Sequence, residues 1–523
     1  MRKKKVWLIG ILAILFTVLL LGCTPDEGDR IFDEIVDEID EPDEQDNRED
    51  EAVQEIVEDV EYLEIHEYAV CPDDVIEGEE QPRPESLLSG HLTILTNEFD
   101  TFHPILANYF MALHPNVVIE IERMEEITDI AQKTALATRL LAEPPDILNT
   151  ANLLFEKFAM DALFIDLNEL IDGPGGVNRG DFFDNIFRGA EIEGGLYHLP
   201  LVISTETVLL NKSYFASIGV PIADMRMMTF DEYLDFYLQA VERYPEDDIF
   251  VSSRFHIMLI FEWVRTYDIA TGSVYVNTPE MRERLELVHA IPLHRDVEIT
   301  PERIHPWILF MGGASSAVDP SFFAPTANLM YHWAVDLFAP FIFFLQDHPD
   351  MRFSHPVHKA TEAGEIRFRS VVAPAITRES ANQELAWEFL RFCMEFSESL
   401  YQGIVENLRI GYEQGLFFPV NRSMFEDQLR IVLAESYDTL VRHGTLTVSG
   451  DAAADAMERE AQIEYSLFRY KELIEMLNLE NRVCEVILNS LIYPDIYLFI
   501  TEQQDVDRTL ENIQNRLELY VAE

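Results

Sequence analysis

Basic residues are scarce in this chain. Its 523 residues include 38 lysines and arginines against 95 aspartates and glutamates, for a formal net charge of −57. Nucleic-acid binding as a general role is excluded, because it needs basic patches to neutralise phosphates. An electrostatic grip on anionic lipid is disfavoured for the same reason. Cysteine is scarce too, at four residues. None sits in the CxxC or Cys/His spacing that holds zinc, so no metal site is expected. GxSxG, HExxH, Walker and GxGxxG signatures are all missing. No enzyme of those classes, and no cofactor, is therefore expected. An anionic surface of this kind favours a soluble monomer.

Positive charge concentrates instead at the very start, in Arg2, Lys3, Lys4 and Lys5. An apolar run from Val6 to Leu21 follows, short for a membrane span, and it ends in Leu20-Leu21-Gly22-Cys23. This segment resembles the signal peptide and lipobox of bacterial lipoproteins. The resemblance implies cleavage after residue 22, a diacylglyceryl thioether on Cys23 and anchoring to the extracytoplasmic side of the cell membrane. The alternative is an uncleaved helix with an incidental cysteine. Cys71, Cys393 and Cys484 remain, an odd number, and no disulfide is assigned. Cys393, in AWEFLRFCMEF, is expected to be buried. From Thr24 to Pro84 there are 26 acidic residues against three basic ones. Such a run repels itself and buries no core, so residues 23–88 read as a disordered acidic tether.

A chain of this length exceeds one hydrophobic core, so two or more lobes are expected. After the tether, short apolar runs alternate with amphipathic ones. His91–Leu95, Asn116–Ile121 and Pro144–Leu148 read as strands, with helices over Thr101–Leu113 and Glu126–Leu141 between them. This is the pattern of βαβ units and a parallel sheet. Thr229 and Glu232 form a capping box for a helix that runs to Arg243, and Ser380 with Gln383 forms a second. Thr278–His289 reads as a helix, Thr326–Ala334 as a strand running to Trp333, and Phe368–Ile376 as another strand. The last third is helical.

Several segments, in this order, resemble the extracellular solute-binding proteins of ABC importers, the cluster that includes maltose-binding protein. They are the lipobox, LTILT, PDILNT, ALFIDLNELID, GGLYHLPLVISTETVLLNKSYFASIGVP followed by MTFDEYLDF, TANLMYHWA, ITRESANQELAWEFLRF and FFPVNRSMFE. Two departures stand out. Phe230 occupies a place where the family often has tryptophan, and Gly444–Glu464 matches no family motif. The resemblance implies an α/β fold of the periplasmic-binding-protein type (type II): two lobes, each a mostly parallel sheet flanked by helices, joined by hinge crossovers. One lobe would be 89–202 with 372–425, the other 203–371 with 426–523. The chain would cross between them at Leu201–Glu206, at Val371–Ile376 and a third time after Phe425. The implied role is capture of a small solute, a carbohydrate by the family's habit, and its delivery to ABC permease subunits.

Ligands of open parallel sheets sit beyond the carboxyl ends of the strands. That draws attention to Glu98 and Asp100 after the first strand, and to Asn149, Thr150 and Asn152 after the third. Each has a bland competing role, because acids and Asn or Thr at such positions also cap the next helix. Ser204, Thr205 and Glu206 interrupt an apolar stretch where the first crossing is expected, and a crossing strand faces the cleft. Sugars need hydroxyl partners of this kind together with aromatic rings for their C–H faces. Trp333 is the stacking candidate that the resemblance implies. Trp263 is a second, with core packing as its alternative. Two rival functions stay open: a ligand-sensing lipoprotein feeding a membrane sensor kinase, and a surface glycoside hydrolase built on a pair of the abundant carboxylates.

Overall fold

In the computed structural model the chain divides at Gln81/Pro82, and the described residues all lie in the second unit. They are 88–97, 100, 102–124, 127, 130–151, 153, 155–222, 225–243, 260–261, 264–290, 330–334, 353–395, 418–442, 446, 448–481 and 487–522. The readings of Cys23, the tether, Cys71, Glu98, Asn152, Trp263 and Cys484 fall outside them.

The first sheet is built as the alternation of the sequence predicts. Its strands are β1 (Gly90–Asn97), β2 (Val117–Met124) and β3 (Ile147–Asn149), with helices α1 (Phe102–Leu113) and α2 (Ile130–Ala142) between them. β2 and β3 both run parallel to β1. Leu92 and Ile94 of β1 join Leu106 and Phe110 of α1 in one core. Leu95 points the other way, towards Leu136, Leu140 and Phe155. This is the period-two alternation of a strand buried on both faces. The helix α3 (Phe155–Met160) closes that second face.

The second sheet is organised by one long strand, β4 (Val202–Asn211). The sheet also contains β5 (Met227–Thr229), β8 (Met330–Ala334), β9 (Phe353–Ala360), β10 (Arg367–Val372), β12 (Phe418–Pro419) and β13 (Leu479–Glu480). A separate ribbon pairs β6 (Tyr267–Asp268) with β7 (Ser273–Val274). The second sheet is mixed, not mostly parallel. β4 is antiparallel to β8, β9, β10 and β12, while β5/β9 and β10/β13 are parallel.

Two large cores meet along β4. Val202 and Ile203 belong to the core that contains Leu92, Phe110 and Phe389. Val208 and Leu210 belong to the core that contains Tyr233, Leu285, Ile496 and Leu517. The molecule is therefore two-lobed. The helices α4 (Phe230–Arg243), α5 (Pro279–His289), α9 (Tyr493–Ile500) and α10 (Val506–Ala522) pack in the second lobe. The helix α6 (Gln383–Glu395) packs in the first. So do the inner faces of α7 (Arg422–Arg442) and α8 (Ala452–Met476), through Leu429, Leu433, Leu467 and Leu473. The stretch Gly444–Glu464, which matched no motif, leads into α8. Its Arg459 pairs with Asp438, and its Glu460 and Glu464 with Arg430, which ties α8 to α7.

The chain changes sheet a second time at Ala373. Phe368–Ile376, read as one strand, is two: β10 in the second sheet, and β11 (Pro374–Ile376) pairing antiparallel with β3 in the first. Local capping follows the sequence in part. Thr229 N–H donates to Glu232 Oε2 at 2.8 Å and Glu232 N–H donates to Thr229 Oγ1 at 3.3 Å, a reciprocal box. At the second site Ser380 Oγ accepts from Asn382 N–H at 3.0 Å, but Gln383 Nε2 donates to the Arg378 carbonyl instead. Ser380 Oγ itself donates to Asp146, which leaves that box one-sided.

Candidate functional site

The site is built from the residues around the two sheet crossings. On β4 the lower half, Val202–Thr205, pairs with β10 and β12. The upper half, Glu206–Asn211, pairs with β8 and β9. The partners change between Thr205 and Glu206, inside the polar interruption. Ser204 is half-buried there. Thr205 is buried and its hydroxyl donates to the Arg367 carbonyl at 3.1 Å. Thr207 is buried as well. Across the β4/β8 ladder Glu206 stands opposite Ala334, and Thr207 stands opposite Trp333. Two candidates 127 positions apart, Glu206 and Trp333, thus reach neighbouring register positions, which belong to opposite faces of the sheet.

The post-strand candidates have a different environment. Asp100 is buried, and its Oδ1 accepts from the N–H groups of Phe102 (2.9 Å) and His103 (3.2 Å). It caps α1 and satisfies two of the free donors of the first turn. Its Oδ2 meets His103 Nδ1 at 2.5 Å, Asn149 Nδ2 at 3.1 Å and the hydroxyl of Thr96. Burial pushes this carboxyl up. The charge of His103 and hydrogen bonds from His103 and Thr96 outweigh that and hold it down at about 2.

Asn149 is buried and all its polar capacity is used inside the protein. Its amide donates to Thr96 and Asp100, and its Oδ1 accepts from the N–H of Ala373 at 3.1 Å. Thr150 adds two bonds to the same residue: its N–H (2.9 Å) and its hydroxyl (2.7 Å) both donate to the Ala373 carbonyl. Asn149 and Thr150 therefore fasten the second crossing, and Asp100 fastens Asn149.

Sequence reasoning missed a third group. His198 stacks on Phe155, with centroids 4.0 Å apart and planes 6° apart. Its Nδ1 lies 2.7 Å from Thr150 Oγ1, and its Nε2 lies 2.9 Å from Glu480 Oε2. Ser370 donates to the other oxygen of Glu480. The Thr150 hydroxyl spends its one hydrogen on Ala373, so it accepts from His198. The buried chain Ala373–Thr150–His198–Glu480–Ser370 joins the first sheet to the second beside the crossing. The one local hint was His198 between apolar neighbours in YHLPL. Its partners, Thr150 and Glu480 of β13, are too distant in sequence to be read.

Chemically, the two buried histidine–carboxylate pairs are structural. Both are enclosed, and the carboxylates are spent on partners within the protein, while His103 Nε2 is buried with no hydrogen-bond partner among the described residues. Among the described residues no group of three or more His, Cys, Asp or Glu is placed to hold a metal. No helix among them is long and apolar enough to cross a membrane. Cys393 is buried, and burial pushes its thiol up, away from the reactive thiolate.

This architecture, two α/β lobes with a strand crossing between their cores, is the periplasmic-binding-protein-like fold. Among solved structures, a de novo designed cysteine esterase, ECH19, matches 84% of this chain and 99% of its own, at 13% identity and TM-score 0.50. An ABC substrate-binding protein from Listeria monocytogenes, in complex with cycloalternan, matches 83% of this chain and 99% of its own at 14% identity and TM-score 0.49. The sugar-binding protein MalE from Xanthomonas citri matches 83% and 98% at 14% identity and TM-score 0.49. No family model matches the chain. No curated protein matches it either.

Proposed function

We propose that the chain is an extracytoplasmic solute-binding protein that captures a carbohydrate between its lobes and hands it to an ABC permease. The observation that carries this reading is the β4 crossing. Its polar stretch lies between two apolar cores, and the strand bearing Trp333 is laid against that same stretch. Glu206 shares one face of β4 with Ser204, and Trp333 shares the other with Thr207; in this reading the ligand lies on one of these faces, against Ser204 and Glu206 through its hydroxyls or against Trp333 through a C–H face. Lobe closure about the crossings at Thr205/Glu206 and Ala373 buries the ligand. The carbohydrate class and the permease partner rest on the motif resemblance. The anchor rests on the LLGC segment before Cys23.

Isothermal titration against a panel of neutral mono- and oligosaccharides tests the reading. Saturable binding with the sugar recovered intact supports it. Recovery of a cleaved sugar replaces it with a glycoside hydrolase. Absence of heat for every sugar, with a folded protein, removes carbohydrate as the ligand class.

A further inference from the structure

The two lobes also touch through elements that contain no sheet crossing. Tyr520 lies in the last turn of α10, and its ring is fixed in the second core, edge-on to Tyr267 at 5.8 Å. Two lysines of the first lobe approach that ring. Lys133 of α2 places its Nζ 4.6 Å from the ring centroid, and Lys157 of α3 places its own at 5.1 Å. Lys157 Nζ also donates to the Tyr520 carbonyl at 2.7 Å. Its neighbours Phe155, Phe158 and Ala159 are embedded in the first lobe's second face, so its backbone cannot follow Tyr520 if the lobes part. Ile127, between β2 and α2, packs against that face and against the second-lobe core alike.

We propose that Lys157, Lys133 and Tyr520 form an interlobe latch that sets the balance between closed and open states before any ligand binds. Three physical terms act at one residue. Ammonium groups are attracted to the face of an aromatic ring. The carbonyls of a helix's last turn lack helical partners and sit at the negative end of its dipole, which suits a cation. Lys157 is only 9% exposed, and its ammonium is kept out of water while these contacts hold. Opening returns that ammonium to water, so the contact is reversible. It holds the lobes together without locking them. A ligand then gains apparent affinity in proportion to the fraction of molecules already closed.

The proposal rests on the two-lobed binding-protein reading, but its test uses no ligand. Spin labels are placed on Leu141→Cys of α2 and Leu287→Cys of α5, both exposed and one in each lobe, in the full chain with Cys23, Cys71 and Cys484 replaced by serine. Electron–electron double resonance reads the distance between them. Lys157→Met is expected to raise the longer-distance population about tenfold, with Lys157→Arg close to the parent. Lys133→Met, at a half-buried position where folding is not at stake, shifts the same population by less. An unchanged distance distribution in Lys133→Met, together with either an unchanged one in Lys157→Met or an Arg variant that behaves like Met, overturns the latch. Failure of sugar binding leaves this result intact, so the two readings fail separately.

Discussion

The two sets of polar residues that the sequence offers as ligand contacts have opposite fates in the fold. Asp100, Asn149 and Thr150 follow parallel strands, where ligands of such sheets gather, and yet they are sealed into one buried network around Ala373. Ser204–Glu206 interrupt a strand and lie where its partners change from one lobe to the other. A post-strand polar residue has two uses, to meet a ligand or to fasten the chain, and spacing does not separate them. What separates them is whether the backbone nearby has donors and acceptors left over. At the end of β3 the crossing residue Ala373 needed both an acceptor and donors, and Asn149 and Thr150 supplied them.

The largest expected effect breaks that network at its centre. Asn149→Leu removes the acceptor of the Ala373 N–H and a donor to Asp100, leaving buried groups unpaired. Each such group costs roughly 1–3 kcal/mol, so a loss of about 3 kcal/mol of unfolding free energy is expected in urea titration. If Asn149 were a ligand contact instead, the variant would keep its stability and lose affinity.

Asp100 gives a smaller effect with a pH signature. Its folded-state pKa is lowered from 3.8 to about 2. A depressed carboxylate contributes stability that is full above the unfolded value and is lost as pH falls through the folded one. The window is therefore about pH 4 down to pH 2, and the contribution is about 2 kcal/mol. Asp100→Asn should be less stable at pH 6 by about that amount. It should also show a shallower loss of stability than the parent between pH 4 and pH 2. Parallel pH profiles would show that the carboxylate does not stabilise the cap.

Much of this architecture was legible and part of it could not be. The polar interruption in Leu201–Leu210 is visible in the sequence, the resemblance implies a crossing there, and the strand does leave one core and enter another. The Thr229/Glu232 box is local, four residues long, and forms as read. Register is not local. Nothing in the chain says that Thr207 will stand opposite Trp333, because that pairing depends on how two lobes fold over a long connection. The Asp100 network closes on Asn149, 49 residues away, and His198 finds Glu480 at a separation of 282. Phe368–Ile376 reads as one strand because apolar residues run from Val371 to Ile376 with only Arg369 and Ser370 between them and Phe368. The change of sheet at Ala373 falls inside the crossing that the resemblance implies at Val371–Ile376, but the partners on either side of it are set by the tertiary fold.

The smallest effects in free energy are the most informative about function. Trp333→Ala and Glu206→Ala lie on the β4/β8 ladder rather than in the fastening network, so both should leave thermal stability near the parent's. In the sugar titration the variant on the ligand's face should weaken binding by about 1 kcal/mol, roughly a fivefold rise in Kd, and the variant on the other face should leave Kd unchanged. Trp333→Phe, which keeps an aromatic face, should recover most of the loss at its position. The opposite pattern, a lowered melting temperature with unchanged Kd, would put Trp333 with Asn149 among the residues that hold the crossings together. The site would then have to be sought elsewhere between the lobes.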